Sequence, residues 1–140
     1  MAKRAKVGDV LEIVSPGGLI YIQYVGKHPT YGDGIAVSPG KHAARTVVSP
    51  GLFRDAYVTF YPASAAVAQG LATVVGHLPS PGLPERMRRP GAVHGRTVAT
   101  WIISDGRQQV VKEELTDEER KLPIAGFWNH EFLIRRVSKG

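Results

Sequence analysis

Apolar and polar positions alternate along much of this chain with a period of two, the mark of strands whose faces have different surroundings. Asp9–Val14 sets Leu11 and Ile13 on one side and Val10 and Glu12 on the other. In Leu19–Val25 the residues Leu19, Tyr21, Gln23 and Val25 share one face, while Ile20, Ile22 and Tyr24 share the opposite one. β-Branched and aromatic residues of this kind suit a pleated surface. Shorter strand signals occur at Ile35–Ser38, Thr46–Val48, Tyr57–Tyr61 and Thr73–Gly76. Residues 98–112 carry the clearest hairpin: VATWIIS, then Asp105-Gly106, then RQQVVK. Asp-Gly between apolar runs favours a type I′ turn, whose two central residues need positive φ. Glu131–Val137 reads as a last strand, with a short helix as its alternative.

Ser-Pro-Gly occurs at residues 15–17, 38–40, 49–51 and 80–82. Proline presets φ for the second position of a β-turn, and glycine accepts the positive φ of the third position in a type II turn. The irregular spacing argues against a repeat protein, so these tripeptides are corners. Two short helices are expected. Pro62–Gln69 has proline at its start and Gly70 to stop it. Thr116-Asp-Glu-Glu119 matches a capping box, and Pro123 ends that helix near Leu122. Residues 77–97 read as one long, proline-rich surface loop carrying the interior basic cluster Arg86, Arg88 and Arg89. The predicted fold is mainly β: a single antiparallel curled sheet or small open barrel with two short helices. The rival is an α+β sandwich.

Composition narrows the picture. A chain of 140 residues fits one domain (1–140, with residues 1–6 as a basic tail) with a core of its own. No apolar tract approaches the ~20 residues of a membrane span. MAKRAK is basic, but Asp9 and Glu12 break up the apolar run behind it, so no signal-peptide apolar region is seen and a cytoplasmic protein is expected. The absence of cysteine excludes disulfides, thiolate metal sites and thiol nucleophiles. The net charge of +6 sits at the ends: Lys3, Arg4 and Lys6 at the front, and Arg135, Arg136 and Lys139 at the back. The body between them is neutral, which makes nucleic acid the weaker partner reading.

Catalytic patterns are missing from the sequence. His28, His42, His77, His94 and His130 are scattered, without HExxH or a helical pair, so neither metal nor cofactor is expected. There is no G-x-S-x-G elbow, no phosphate-binding glycine loop and no dinucleotide fingerprint. The acidic cluster Glu113, Glu114, Asp117, Glu118 and Glu119 suits a solvated helix start better than paired catalytic carboxylates. Most aromatics of a small β protein are core or cross-strand pairs. Trp101 and Trp128 read first as core residues. Tyr21 and Tyr24 point to opposite faces, which leaves room for one of them to be partly exposed.

The order KVGDVLEI, GLIYIQYVGKHPTYG, YVTFYPASAAVAQG, TWIISDG and LTDEERKLPIAGFWN resembles immunity protein family 26 of bacterial polymorphic toxin systems, or a closely related bacterial family. The resemblance covers roughly residues 6–137 and is weakest in 77–97. It implies a small, mostly β, non-catalytic interaction protein that binds and neutralises a protein toxin. Gly8, Asp9, Tyr21, Gln23 and Trp128 stand at positions resembling the family pattern. The candidate partner-binding residues are Tyr21, Tyr24, His28, Tyr31, Arg86, Arg88, Arg89 and Trp128. Two alternatives stand beside this reading. One is a nucleic-acid-binding β module using the basic tails and Arg86–Arg89; the other is a hydrolase in which His28, His77, His94 and His130 converge.

Overall fold

The structure is a computed structural model that describes residues 5–29, 31–104 and 108–138. Lys3, Arg4 and Lys139 of the basic tails, and the Asp105-Gly106 turn, lie outside the described residues. In chain order the elements are β1 Asp9–Ser15, β2 Gly18–His28, β3 Gly32–Val37, β4 Tyr57–Phe60, α1 Ala63–Ala68, β5 Thr73–His77, β6 Met87–Pro90, β7 Val93–His94, β8 Thr97–Val98, β9 Trp101–Ser104, β10 Gln109–Lys112, α2 Asp117–Arg120 and α3 His130–Ser138. The protein is mainly β, antiparallel and open, as the pattern predicts. Its strands form ladders of five (β4-β3-β2-β1-β5), three (β10-β9-β6) and two (β7-β8). They belong to two compact units, one of residues 1–83 and 127–140, the other of residues 84–126.

The first unit is built on the β1–β2 hairpin, closed by Pro16-Gly17 with Ser15 opposite Gly18. Gly17 has φ +91°, the conformation expected of it. Gly40 and Gly82 behave alike, whereas the fourth corner, at residues 49–51, winds into a 3-10 turn over Pro50–Phe53. β2 is central and covered on both faces. On one face Leu11, Ile13, Ile20, Ile22, Ile35 and Val37 pack with Ala63 and Ala66 of α1 and Leu133 and Val137 of α3. Full burial of each large side chain there stabilises by about 1.5–3 kcal/mol.

The opposite face is polar at its centre and is crossed by two irregular segments. Arg45 donates to both oxygens of Glu12 at 2.9 Å, and the Thr46 amide donates to the Tyr21 hydroxyl at 3.1 Å. The alternation predicts a strand at Thr46–Val48. Instead, a side-chain hydroxyl rather than a neighbouring backbone receives the Thr46 N–H, so the segment lies across the sheet as a strap. Further along, Gln23 Nε2 donates to Leu78 O at 3.0 Å and Ser80 Oγ to Val25 O at 2.7 Å.

The last run, Glu131–Val137, is helical rather than extended. Asn129 caps it: its side chain accepts the Phe132 N–H at 2.7 Å and its carbonyl accepts from Leu133. Leu133 and Val137, four residues apart, face the core together. Both predicted short helices form, as α1 and α2, and α2 has the full capping box between Thr116 and Glu119.

In the second unit β9 pairs with β10 on one side and β6 on the other. Residues 77–97, expected as one long loop, therefore contain β6 and half of the small β7–β8 hairpin. The outer edge of β6 is paired too: Arg88 N donates to Pro123 O and Ala125 N to Arg88 O. Pro79, Pro81 and Pro84 precede this strand and Pro90 ends it, so no proline interrupts the ladder.

Candidate functional site

An aromatic and arginine face lies on the first unit. Tyr57 of β4 contacts Trp128, with ring centroids 5.6 Å apart, and Trp128 contacts Phe132 of α3 at 5.1 Å. The Asn129 cap creates this arrangement. It starts α3 immediately after Trp128, whose N–H is held by Phe60 O at 2.8 Å. Since α3 turns Leu133 and Val137 inward, Phe132, Arg135 and Arg136 remain outside. Phe127 is 65% exposed, Phe132 43% and Tyr57 38%, high values for rings of this size. Burial raises the Tyr57 pKa, and the nearby positive charge of Arg136 partly offsets that rise.

Phe127 joins this face to an inner aromatic group. It meets Tyr31 edge-on at 5.3 Å and Phe60 at 6.1 Å, while Tyr31 stacks on His28 at 4.5 Å. His28 and Tyr31, two of the sequence candidates, are thus brought together, but as buried residues. Burial also holds the His28 pKa below its ordinary value.

Tyr21 and Tyr24 are both buried, so neither offers a surface; the straps and helices on the two faces of β2 explain why. Tyr21 donates to Glu12 at 2.9 Å and Tyr24 to Asp33 at 2.9 Å. Burial pushes the Tyr24 hydroxyl up to about 12 and raises that of Tyr21 as well. The hydrogen bond from Arg45 is the main reason that Glu12 titrates below the usual carboxylate range. Trp128 is half-buried and packs on the core while keeping its two aromatic neighbours.

The three arginine candidates belong to the second unit and do not share one role. Arg86 reaches the buried carboxylate of Glu119 at 3.2 Å. Arg88 donates through Nε to Leu122 O at 3.0 Å and lies 4.6 Å over the Trp101 ring. Arg89, next in the strand, points to the other sheet face, and its Nε is buried with no hydrogen-bond partner.

His77, His130 and His42 have separate partners, and His94 lies in β7 of the second unit. His77 Nδ1 lies 3.0 Å from Asp9 Oδ1, and His130 Nδ1 lies 2.8 Å from the Tyr61 hydroxyl. Burial pushes that hydroxyl up to about 12. His42 meets Tyr21 edge-on at 5.2 Å. Among the described residues no three His, Asp or Glu side chains stand together as a metal site. The pairs Asp9–His77 and Tyr61–His130 join residues 68 and 69 positions apart, which no local spacing could announce. The sequence reading missed Tyr57 and Phe132; the signal that could have placed Phe132 is Asn129, a good helix cap ahead of an i, i+4 apolar pair.

With this geometry, the protein is a small, mainly β chain with an exposed aromatic–arginine face. It matches no family model, no curated protein and no solved structure. Among the described residues no helix is long and apolar enough to cross a membrane.

Proposed function

We propose that this chain is a non-catalytic interaction protein of the toxin-neutralising immunity type, and that it binds its protein partner through Tyr57, Phe127, Trp128, Phe132 and Arg136. The observation that carries this reading is the Tyr57–Trp128–Phe132 ring series, exposed at both ends and flanked by arginine. Tyr, Trp and Arg dominate interface hot spots because large rigid side chains gain contact area at small entropic cost. The resemblance to immunity protein family 26 supplies the class of partner, and a cysteine-free chain suits action in the cytoplasm.

The test starts from the genes that neighbour the one for this protein: a toxin domain found encoded there is co-expressed with it, and the absence of any toxin gene overturns the proposal. The expected result is rescue of growth by the wild type and by Val14→Lys, an exposed change away from the ring series, but not by Phe132→Glu. Failure of the wild type to rescue, or rescue by Phe132→Glu, overturns the proposal.

A second reading is favoured by Arg88 stacked over Trp101 on the three-stranded sheet. A cation beside a stacking ring is the pairing used to hold single-stranded nucleic acid. It predicts oligonucleotide binding that weakens steeply with salt. No binding of single- or double-stranded probes at low salt eliminates it.

A further inference from the structure

We propose that the pocket of the second unit lined by Arg86, Ile103, Gln108, Val110, Lys112 and Glu119 binds a small organic oxyanion, a carboxylate or phosphate carried on an apolar body. Its volume is about 290 Å³, at the small end of ligand pockets. The β-sheet register explains the composition of its walls. Ile103 of β9 and Val110 of β10 are direct partners, so their side chains form one apolar patch on the same face. Lys112 lies two residues beyond Val110 and shares that face, and Glu119 closes the site from α2.

The charges are arranged for an anion in spite of the carboxylate. Glu119 is only 3% exposed and is already engaged by Lys112 at 2.8 and 2.6 Å, by Arg86 at 3.2 Å and by the Thr116 amide at 2.9 Å. Two cations face one carboxylate, leaving one positive charge in excess. Arg86 spends a single N–H on Glu119, and most of its guanidinium donors stay free on a side chain that is 45% exposed. Glu119 acts as a post that fixes both cations in position before a ligand arrives, so less side-chain freedom is lost on binding. The free guanidinium fork matches the planar geometry of a carboxylate or phosphate. The Ile103–Val110 patch then meets the apolar body beside it.

The test is an NMR titration of the full chain with benzoate, phenyl phosphate and inorganic phosphate. Saturable shifts at the Ile103, Val110 and Lys112 amides are expected with benzoate or phenyl phosphate, and the tighter of the two identifies the head group. Inorganic phosphate, lacking the ring, is expected to bind several-fold more weakly. Arg86→Gln weakens binding on the order of tenfold, the loss of a charged hydrogen bond. Glu119→Gln keeps an amide oxygen that accepts from the Thr116 N–H and from Lys112, so the cap and the hold on the lysine persist while the competing charge is gone; binding tightens several-fold, an effect that a merely structural role would not produce. Fold retention is read from the amide spectrum of each variant, and Arg86→Gln decides alone where Glu119→Gln does not fold. Absence of saturable shifts, equal affinity in Arg86→Gln, weaker binding in a folded Glu119→Gln, or inorganic phosphate matching phenyl phosphate each overturns the proposal.

Discussion

His28 Nδ1 accepts the Tyr31 backbone N–H at 3.2 Å while the two rings stack at 4.5 Å. The contact requires an unprotonated Nδ1, and burial independently disfavours the cation. The folded protein therefore takes up this proton at lower pH than the unfolded chain, whose ordinary value is 6.5. The contribution of His28 is complete above about pH 6.5 and is lost as pH falls toward the lowered folded value. Thermal unfolding is expected to show a drop in Tm between pH 7.5 and pH 5, and His28→Phe is expected to flatten it. At pH 7.5 that variant loses the hydrogen bond at a cost of about 1 kcal/mol. An unchanged pH profile in His28→Phe would show that another group governs the drop.

Glu119 titrates at about 2, held there chiefly by the hydrogen bond from Lys112. Its folded pKa lies below the ordinary 4.5, so its stabilising effect is full above that value and is lost as the pH falls from there toward 2. The amide signals of residues 109–120 are expected to disperse normally at pH 5 and to lose intensity on acidification through that window. In Glu119→Gln the loss within that window is expected to be smaller, since the residue no longer titrates.

The Glu12–Tyr21–Arg45 network separates into two measurable parts. Tyr21→Phe leaves the Thr46 amide without its acceptor and removes one of the donors to Glu12, which keeps both bonds from Arg45, and is expected to cost about 1–3 kcal/mol in chemical unfolding. Arg45→Ala is expected to raise the Glu12 pKa in a side-chain carboxyl NMR titration, because the Arg45 hydrogen bond is the largest cause of its lowering. A Glu12 pKa that stays put would transfer that role to Tyr21.

Gly26 and Gly34 face each other across β2 and β3, and the Leu83 side chain fills the slot that they leave. A Cβ on Gly34 would collide with Leu83 Cδ2, while one on Gly26 would lie 3.1 Å from Leu83 Cγ. Gly34→Ala is expected to cost about 1–3 kcal/mol, the range for overpacking. In a Leu83→Ala background the same change should cost much less. Additive costs would refute the steric account.

The strand alternation in Asp9–Val14 and Leu19–Val25 was legible because burial differs between neighbouring positions, and the Ser-Pro-Gly corners because φ restricts the residue choice. Thr116 and Glu119 announced their cap for the same local reason. α3 reads as a strand because Phe132, Leu133 and Ile134 are three consecutive apolar residues, which mask the i, i+4 pair Leu133 and Val137. The ring series escaped because Tyr57 and Phe132 lie 75 positions apart in the chain and meet only through Trp128. Tyr21 and Tyr24 looked available for contact because their covering segments carry no regular pattern, so nothing in the sequence signalled that both faces of β2 were closed.

Leu83 and Phe127 are the residues at which the chain leaves and resumes the first unit. Both are fastened at one place. Leu83 sits in the slot at Gly34, whose added Cβ would lie 3.5 Å from the Phe60 ring edge, and Phe127 meets that same Phe60 at a tilt. Among the described residues, the core cluster of the first unit includes none from 84–126. Replacing residues 84–126 by a short Gly-Ser linker is therefore expected to preserve cooperative unfolding and the Tyr57–Trp128–Phe132 contacts, read by tryptophan fluorescence. The closely spaced anchors make the segment between them an exchangeable cassette. Evolution could lengthen, shorten or swap it, and with it a ligand preference, without renegotiating the core that presents the aromatic face.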